Sequence, residues 1–281
     1  MKVTEVIHHH VGIISRAKGR SAVSAAAYRA AEKLRNERNG LMHDYTNKRD
    51  VVYKQILLPK YAREEFKDRK ILWNAVEKIE KAKNSRTARE LRVYLYDELE
   101  PPEQIRLIVD HVQESFVNRG MCADVCIHDK GNGNPHAHVM LTTRSLDANG
   151  NWMGKQRKNY ILDKDGKKIY DPVKKQYKCG PSIKTNDWDN EGNVEKWRQE
   201  WARACNRAFE RKGLEHTVTH ESYALQGSDI EPSIHLGPRV SALKRRGIFT
   251  DRAIENNAII EKREHESQRQ QERSRSRGRS R

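Results

Sequence analysis

Three segments of this 281-residue chain alternate apolar and polar residues, and this alternation constrains the fold more than any other feature. The segments are ELRVYLY (90–96), MCADVCIH (121–128) and HAHVMLTT (136–143). Successive side chains of a β-strand point to opposite faces of its sheet. Each segment is therefore predicted to be a strand with one face suited to a core and one face that carries polar side chains.

The second and third segments are joined by DKGNGNP, which is rich in turn-forming residues. Such a linker predicts an antiparallel hairpin. His128 would end the first strand, and His136 would begin the second strand nearly opposite it. His138, two residues further on, shares a face with His136. Three imidazoles that converge in this way suit a metal site with open positions for a substrate.

An HxH pair alone is more often two ordinary, half-buried histidines than a metal site. The third histidine, placed across the turn on the same face, favours metal binding here. Ligation by imidazoles alone suits Zn, Mn, Co or Ni better than Mg, a preference that the availability of metals in the cell can override.

The formal net charge of +16, from 55 Lys and Arg against 39 Asp and Glu, indicates a polyanionic partner such as nucleic acid. The sequence shows no apolar run of the roughly 18 residues that span a bilayer, so we expect no membrane insertion. It also shows no signal-peptide pattern and no CxxC pair. We therefore expect a cytoplasmic protein with reduced cysteines. Without a GxxxxGK[ST] motif, no nucleotide cofactor is expected.

Helical periodicity or composition predicts helices near residues 21–35, 69–83, 102–118 and 194–212. Ser21 is placed to cap the first of them. Residues 145–193, rich in Gly, Asn, Asp and Lys, are expected to form long loops or a hairpin insertion. The predicted fold class is α/β (α+β): a two-layer sandwich whose central, mainly antiparallel sheet carries the histidines, with helices packed on one face.

Tyr28 lies among alanines in the first helix, where a DNA backbone could approach closely. Taken alone, it would be a packing residue. However, GRSAVSAAAYRAAEK, HDYTNKRDVVYKQILLP, LWNAVEKIEKAKNSRTARELRV and MCADVCIHDKGNGNPHAHVMLTTR occur in this order, followed by SYALQG and IHLGPRVSALKRRGI. Over about residues 5–260, this set resembles the relaxase domain of MobA/MobL mobilisation proteins, which belong to the HUH class of nicking endonucleases.

The resemblance implies that Tyr28 is the catalytic nucleophile and that His128, His136 and His138 bind a divalent metal, Mn or Mg first. It implies that Glu90 supports these histidines, although YLYDELEPP departs from the family's usual end of that strand. The reaction would be metal-dependent, site- and strand-specific nicking by transesterification. It would form a 5′-phosphotyrosine at a plasmid or mobile-element transfer origin and so initiate conjugative transfer.

The implied partner is single-stranded or hairpin DNA at a transfer origin, together with accessory DNA-binding proteins and a secretion coupling protein. Trp152, Tyr160 and Trp188 are candidates for base stacking. Seven predicted DNA contacts flank the site residues along the chain, namely Arg16, Lys18, Arg20, Arg144, Lys155, Arg157 and Lys158. Residues 1–260 are expected to form the relaxase domain, and residues 261–281 a disordered basic tail rich in Arg and Ser.

Three alternatives stay open at this point. A replication initiator of the same nicking class would share Tyr28 and the histidines, so chemistry alone does not separate it from a relaxase. A non-catalytic, basic nucleic-acid-binding module would bind without Tyr28 and without metal, and would form no covalent adduct. A metal hydrolase acting on small phosphates would leave the net charge unexplained.

Overall fold

In the computed structural model, the described residues are 4–131, 133–227, 231, 234, 236, 240, 243–244, 246–262 and 265. The chain divides into two compact units, one formed by Ile7–His220 and the other by Met1–Val6 with Glu221–Arg281. Most of the predicted basic tail, residues 266–281, lies outside the described residues. The division into 1–260 and 261–281 stays a prediction.

The helices are α1 (Ala22–Ala30), α2 (Arg69–Ile79), α3 (Pro101–Ser115) and α4 (Asn193–Lys212), and residues 251–262 are also helical. The strands are β1 (Glu5–Val6), β2 (His9–Ser15), β3 (Lys33–Arg35), β4 (Met42–Asp44), β5 (Val51–Leu57), β6 (Arg86–Tyr94), β7 (Ala123–His128), β8 (His136–Leu141), β9 (Gln156–Tyr160), β10 (Tyr170–Asp171), β11 (Gln176–Tyr177), β12 (Cys179–Lys184) and β13 (Val218–Thr219). Within the described part of the chain, no helix is both long and apolar enough to cross a bilayer.

A five-stranded sheet in the order β2-β6-β8-β7-β5 forms the centre of the larger unit, and every neighbouring pair is antiparallel. The predicted hairpin is confirmed as β7–β8. His128 lies directly opposite His136, and Cys126 lies opposite His138. On the other side of β8, strand β6 places Glu90 opposite Met140, two pairs away from the pair of Arg92 with His138 and on the same face as His138.

The apolar face of the sheet packs against α3 and α4, as the alternation predicts. Its core includes Leu91, Val93, Val125, Val139, Leu107, Val112, Trp197, Trp201 and Phe209. The predicted α/β class with a central antiparallel sheet is confirmed. One detail needs correction, because helices cover both faces of the sheet. The apolar residues of α1 and α2 form a second core with sheet residues of the opposite face, including Ile14, Ala88 and Met140.

Helix α1 is shorter than its Ala-rich sequence predicts. The hydroxyl of Ser21 accepts a hydrogen bond from the Ser24 amide at 3.4 Å, which confirms the predicted N-cap. The helix ends at Ala30, because Ala31 takes the left-handed conformation with φ 53°. The chain then forms the β3–β4 hairpin, so the predicted continuation of the helix to Arg35 was wrong.

Helix α2 is held on the sheet by a buried ion pair. Arg69 donates two hydrogen bonds of 2.8 Å to the two carboxylate oxygens of Asp124 on β7. The indole of Trp73 adds a third to the same carboxylate, also at 2.8 Å. Asp124 is only 2% exposed, so its ionised carboxylate is stabilised by these donors in place of water. The pair thereby fixes the position of α2 against the strand that ends in His128.

We predict that Asp124→Ala lowers the free energy of unfolding by about 3–5 kcal/mol, because it leaves the buried guanidinium of Arg69 without its main partner. Urea denaturation of the whole chain measures the loss. The control is Glu64→Ala, which removes an exposed pair with Lys67 and should change stability by no more than about 0.5 kcal/mol. Equal, small losses in both variants would contradict the proposed role of the buried pair.

Candidate active site

The three histidines of the hairpin form one cluster. One ligand atom from each of His128, His136 and His138 lies within 4.8 Å of the others, and the ring centroids are 4.7–5.5 Å apart. The register of β7 against β8 brings them together, since His128 and His136 are a directly opposed pair. The convergence expected from the sequence is therefore present, and the ligand atoms are close enough to hold a single metal ion.

Hydrogen bonds orient two of the rings. His136 Nδ1 lies 2.9 Å from the carbonyl oxygen of Asn134, and His138 Nδ1 lies 3.0 Å from Glu90 Oε1. Both partners can only accept, so each Nδ1 carries the proton. The neutral ring then has an unprotonated Nε2, which is the form that binds a metal.

His128 is held on both sides. Its Nε2 lies 2.7 Å from the carbonyl oxygen of Arg29, and its Nδ1 lies 3.2 Å from Lys48 Nζ. Because a carbonyl accepts and an ammonium donates, Nε2 is the protonated nitrogen. Burial, together with the nearby charges of His138 and Lys48, lowers the pKa of His128 to about 4. The ring is therefore neutral at physiological pH, and its lone pair is on Nδ1. This nitrogen would bind a metal once Lys48 gives up its contact with it.

These residues fit a divalent metal. The three imidazoles supply nitrogen donors, and burial lowers the pKa of His138 as it does that of His128. Such a set suits Zn, Mn, Co or Ni and leaves coordination positions open, whereas Mg prefers oxygen ligands. The donor chemistry supports a metal site and does not specify which metal fills it.

Glu90 lies beside the cluster, on β6. It is 8% exposed, and its Oε1 accepts hydrogen bonds from His138 and from Arg29 Nε, the latter at 2.7 Å. Burial alone would raise the pKa of this carboxyl group. The hydrogen bond from His138 and the charge of Arg29 outweigh that effect and hold the pKa at about 2. Glu90 is thus ionised and placed where a carboxylate can orient a metal-binding imidazole.

Tyr28 does not pack in the core. It lies on α1 with 47% of its surface exposed, and its ring meets Tyr45 edge to face with centroids 5.3 Å apart. Lys48 Nζ lies 4.9 Å from the centroid of the Tyr28 ring. Tyr28 lines an open cleft of about 750 Å³, together with Asp44, Tyr45, Asn47, Lys48, Arg49, Asp50, Asp129 and Lys130.

Lys48 connects the tyrosine to the histidine cluster. Its ammonium contacts the ring of Tyr28, Nδ1 of His128 and, at 2.6 Å, a carboxylate oxygen of Asp50. The sequence analysis did not select Lys48, Asp50 or Arg29. The only sequence signal was the position of Arg29 next to Tyr28, because Lys48 is 80 residues from His128 and reaches it only through the tertiary fold.

The predicted DNA contacts separate into two groups. Arg16, Arg144 and Lys155 are engaged inside the protein with the carboxylates of Glu77 and Glu80. These three side chains have a structural role that the sequence did not suggest. Arg20, 44% exposed in its side chain, lies 3.5 Å from Glu90 Oε2. The exposed members of the set are Lys18, Arg20, Arg157 and Lys158.

The three candidates for base stacking also differ in how far their rings are buried. Trp188 is 5% exposed and belongs to the apolar core, so it is not available for stacking. Trp152 is stacked on Phe66 with centroids 5.4 Å apart. Tyr160 is half-buried in the insertion, where Lys168 Nζ lies 4.1 Å from its ring centroid. Trp152 and Tyr160 are both half-buried, and a stacking role for either stays a prediction.

The fold is shared with a solved structure described as the molecular basis of vancomycin resistance transfer in Staphylococcus aureus. The TM-score is 0.66 and the sequence identity is 31%, over 78% of this chain and 100% of that one. The MobA/MobL family profile matches residues 20–246. The chain belongs to the MobA/MobL family.

Curated relatives carry mobilisation and conjugal transfer names. A probable mobilization protein MobA of Bifidobacterium longum is 32% identical over 90% of this chain and 47% of its own length. A conjugal transfer protein TraA of Agrobacterium fabrum is 32% identical over 86% of this chain and 22% of its own length. A mobilization protein MobL of Acidithiobacillus ferridurans is 30% identical over 86% of this chain and 64% of its own length. The chain thus spans about half or less of the first two of these relatives.

We predict that His138→Ala lowers the affinity for Mn²⁺ and Zn²⁺ by about 100-fold or more, because it removes one of three ligands. Loss of a residue that only orients a ligand already weakens metal binding by about 10–100-fold, and loss of the ligand itself should weaken it at least as much. Isothermal titration calorimetry without DNA measures this change. His10→Ala removes an exposed histidine outside the cluster and should leave the affinity unchanged. Equal affinities in all three proteins would exclude the cluster as the metal site.

Proposed function

We propose that this chain is a relaxase that nicks one strand of DNA at a transfer origin and so initiates conjugative transfer. The observation that carries the proposal is the exposed Tyr28 beside the histidine cluster, with Lys48 in contact with both. The mobilisation and conjugal transfer names of the relatives agree with it. The net charge of +16 agrees with a DNA substrate.

The proposed reaction is a transesterification. Tyr28 Oη loses its proton and forms a bond to the phosphorus of the scissile phosphate, while the bond from phosphorus to the 3′ oxygen breaks. The 3′ oxygen takes up a proton, which leaves a free 3′-OH and a 5′-phosphotyrosine. Because the phosphodiester is exchanged and not hydrolysed, the reverse reaction can rejoin the strand without ATP.

The residues of the chain would divide this work between them. His128, His136 and His138 would hold a divalent metal, which supplies positive charge to the non-bridging oxygens of the phosphate. Glu90 and the carbonyl oxygen of Asn134 keep two of the rings oriented. Lys48, which lines the cleft and lies over the ring of Tyr28, would add its own positive charge to a phosphate bound there.

The wider assignment follows from the same proposal. The DNA would be single-stranded or hairpin DNA of a transfer origin, held in part by the exposed cations Lys18, Arg157 and Lys158. Accessory DNA-binding proteins and a secretion coupling protein would complete the transfer complex in the cytoplasm. A replication initiator of the same class would differ only in the DNA it cuts, and the family membership favours mobilisation.

We predict that Tyr28→Phe abolishes the covalent adduct, because a phenyl ring has no nucleophilic oxygen. The wild-type chain is mixed with Mn²⁺ and a labelled single strand that spans the transfer origin, and denaturing gels detect cleavage and adduct. Tyr45→Phe is the matched control, since Tyr45 lies against Tyr28 in the same cleft and should keep the adduct. Mass spectrometry then locates the DNA-bearing residue.

Each other outcome excludes part of the proposal. Cleavage without an adduct would indicate hydrolysis by metal-bound water and would exclude Tyr28 as the nucleophile. An adduct on Tyr45 would reassign the nucleophile within the cleft. Tight binding without cleavage of a verified origin would favour a non-catalytic binding module.

A second prediction concerns Lys48. Lys48→Met should lower the single-turnover rate of adduct formation by roughly 100-fold, because it removes a cation from the place where charge develops. Lys60→Met is the matched control, since Lys60 also faces a tyrosine ring, that of Tyr61, and neither residue lines the cleft of Tyr28. If both variants react at the wild-type rate, Lys48 has no part in the chemistry.

A further inference from the structure

Arg29, the residue that follows Tyr28, contacts His128 through its backbone and is linked to His138 through the contact of its side chain with Glu90. It is 7% exposed, although arginine is usually a surface residue. The only signal in the sequence that draws attention to Arg29 is its position next to Tyr28 in the same helix.

The backbone contact depends on where α1 ends. The last carbonyl groups of a helix have no partner within the helix, and they carry its partial negative charge. Since Ala31 ends the helix, the carbonyl oxygen of Arg29 is one of these groups. It accepts the hydrogen bond from His128 Nε2 at 2.7 Å. The early end of α1 therefore orients His128.

The side-chain contact reaches a second histidine. Arg29 Nε donates to Glu90 Oε1 at 2.7 Å, and Nη2 forms a further contact with the same oxygen. His138 Nδ1 donates to that oxygen as well, at 3.0 Å. Arg29 Nη1 is directed back to its own helix, where it donates to the carbonyl oxygen of Ala25 at 2.8 Å. The guanidinium thus joins α1 to the carboxylate that orients His138.

We propose that Arg29 is a positioning residue that fixes the nucleophile helix to two of the metal-binding histidines. Metal affinity and the placement of Tyr28 then depend on the same guanidinium. The second half of this proposal rests on the proposed nicking function, whereas the first half concerns metal binding alone. Tyr28 is adjacent to Arg29 in the chain, so a shift of α1 moves the nucleophile and the support of His128 and His138 together.

The neighbouring cation cannot replace Arg29. Arg20 lies 3.5 Å from the other oxygen of Glu90, and its side chain is 44% exposed, so solvent weakens its attraction. Without Arg29, the buried carboxylate of Glu90 would lose its closest charge, and His138 would lose a fixed acceptor.

The test measures Mn²⁺ affinity by calorimetry without DNA in the wild-type chain, Arg29→Met and Arg29→Lys. Loss of a residue that supports a ligand typically weakens metal binding by about 10–100-fold, and we expect this loss for Arg29→Met. Arg29→Lys keeps the charge but not the two nitrogens that share Oε1, so we expect a partial recovery of affinity. The matched control is Arg89→Met, because Arg89 is also buried but pairs with Asp189.

Thermal unfolding of each variant separates positioning from simple destabilisation. We expect Arg29→Met and Arg89→Met to lose similar stability, and only Arg29→Met to lose metal affinity. A folded Arg29→Met that binds Mn²⁺ as tightly as the wild type would overturn the proposal. If Arg29→Met does not fold, Arg29→Lys and Glu90→Gln decide the matter, and wild-type affinity in both would overturn it.

Adduct formation at saturating Mn²⁺ tests the placement of Tyr28. We expect the rate of Arg29→Met to stay below that of the wild type even when the metal site is full. A rate restored fully by metal would limit the role of Arg29 to metal binding and overturn the second half of the proposal. If the wild type itself forms no adduct, the nicking proposal fails, and the calorimetric result still stands.

Discussion

The buried carboxylate of Glu90 is the charge around which this side of the molecule is arranged. An ionised carboxylate is costly to bury unless it is paired and hydrogen-bonded, and here Arg29 and His138 meet that need at one oxygen. Because Arg29 belongs to α1 and His138 to β8, the same requirement that keeps Glu90 ionised also joins the helix to the central sheet. Satisfying one buried charge thereby places the helix that carries Tyr28 beside the histidine cluster.

Close packing of α1 makes this arrangement possible. Ala22, Ala26 and Ala30 recur at a spacing of four residues and are at most 1% exposed, so one side of the helix is narrow and fully buried. At 100° per residue, Tyr28 lies about 200° from Ala26 and therefore points away from this side. The small residues bring the backbone of α1 close enough for the carbonyl group of Arg29 to reach His128. The same periodicity leaves Tyr28 in the open cleft.

Sequence reasoning was most successful where the determining signal is local. A period of two and a Gly/Asn-rich turn are enough to predict the β7–β8 hairpin and the pairing of His128 with His136, and the register confirms both. It failed where the environment of a residue is set by residues that are distant in the sequence. Arg16 pairs with Glu77, 61 residues away, and the burial of Trp188 depends on a core built from distant segments. The end of α1 at Ala30 was missed because alanine rarely adopts the positive φ found at Ala31.

If the chain acts on DNA as proposed, the separation of buried from exposed cations explains how it can combine a precise site with loose DNA binding. Arg16, Arg29 and Arg144 are neutralised by Glu77, Glu90 and Glu80, and their burial shields these pairs from salt. The charge that DNA phosphates can meet therefore comes from exposed residues, such as Lys18, Arg157 and Lys158. Binding through these residues depends on salt and carries little sequence information. The buried pair of Arg29 with Glu90 instead joins the helix of Tyr28 to His138, whatever the strength of DNA binding.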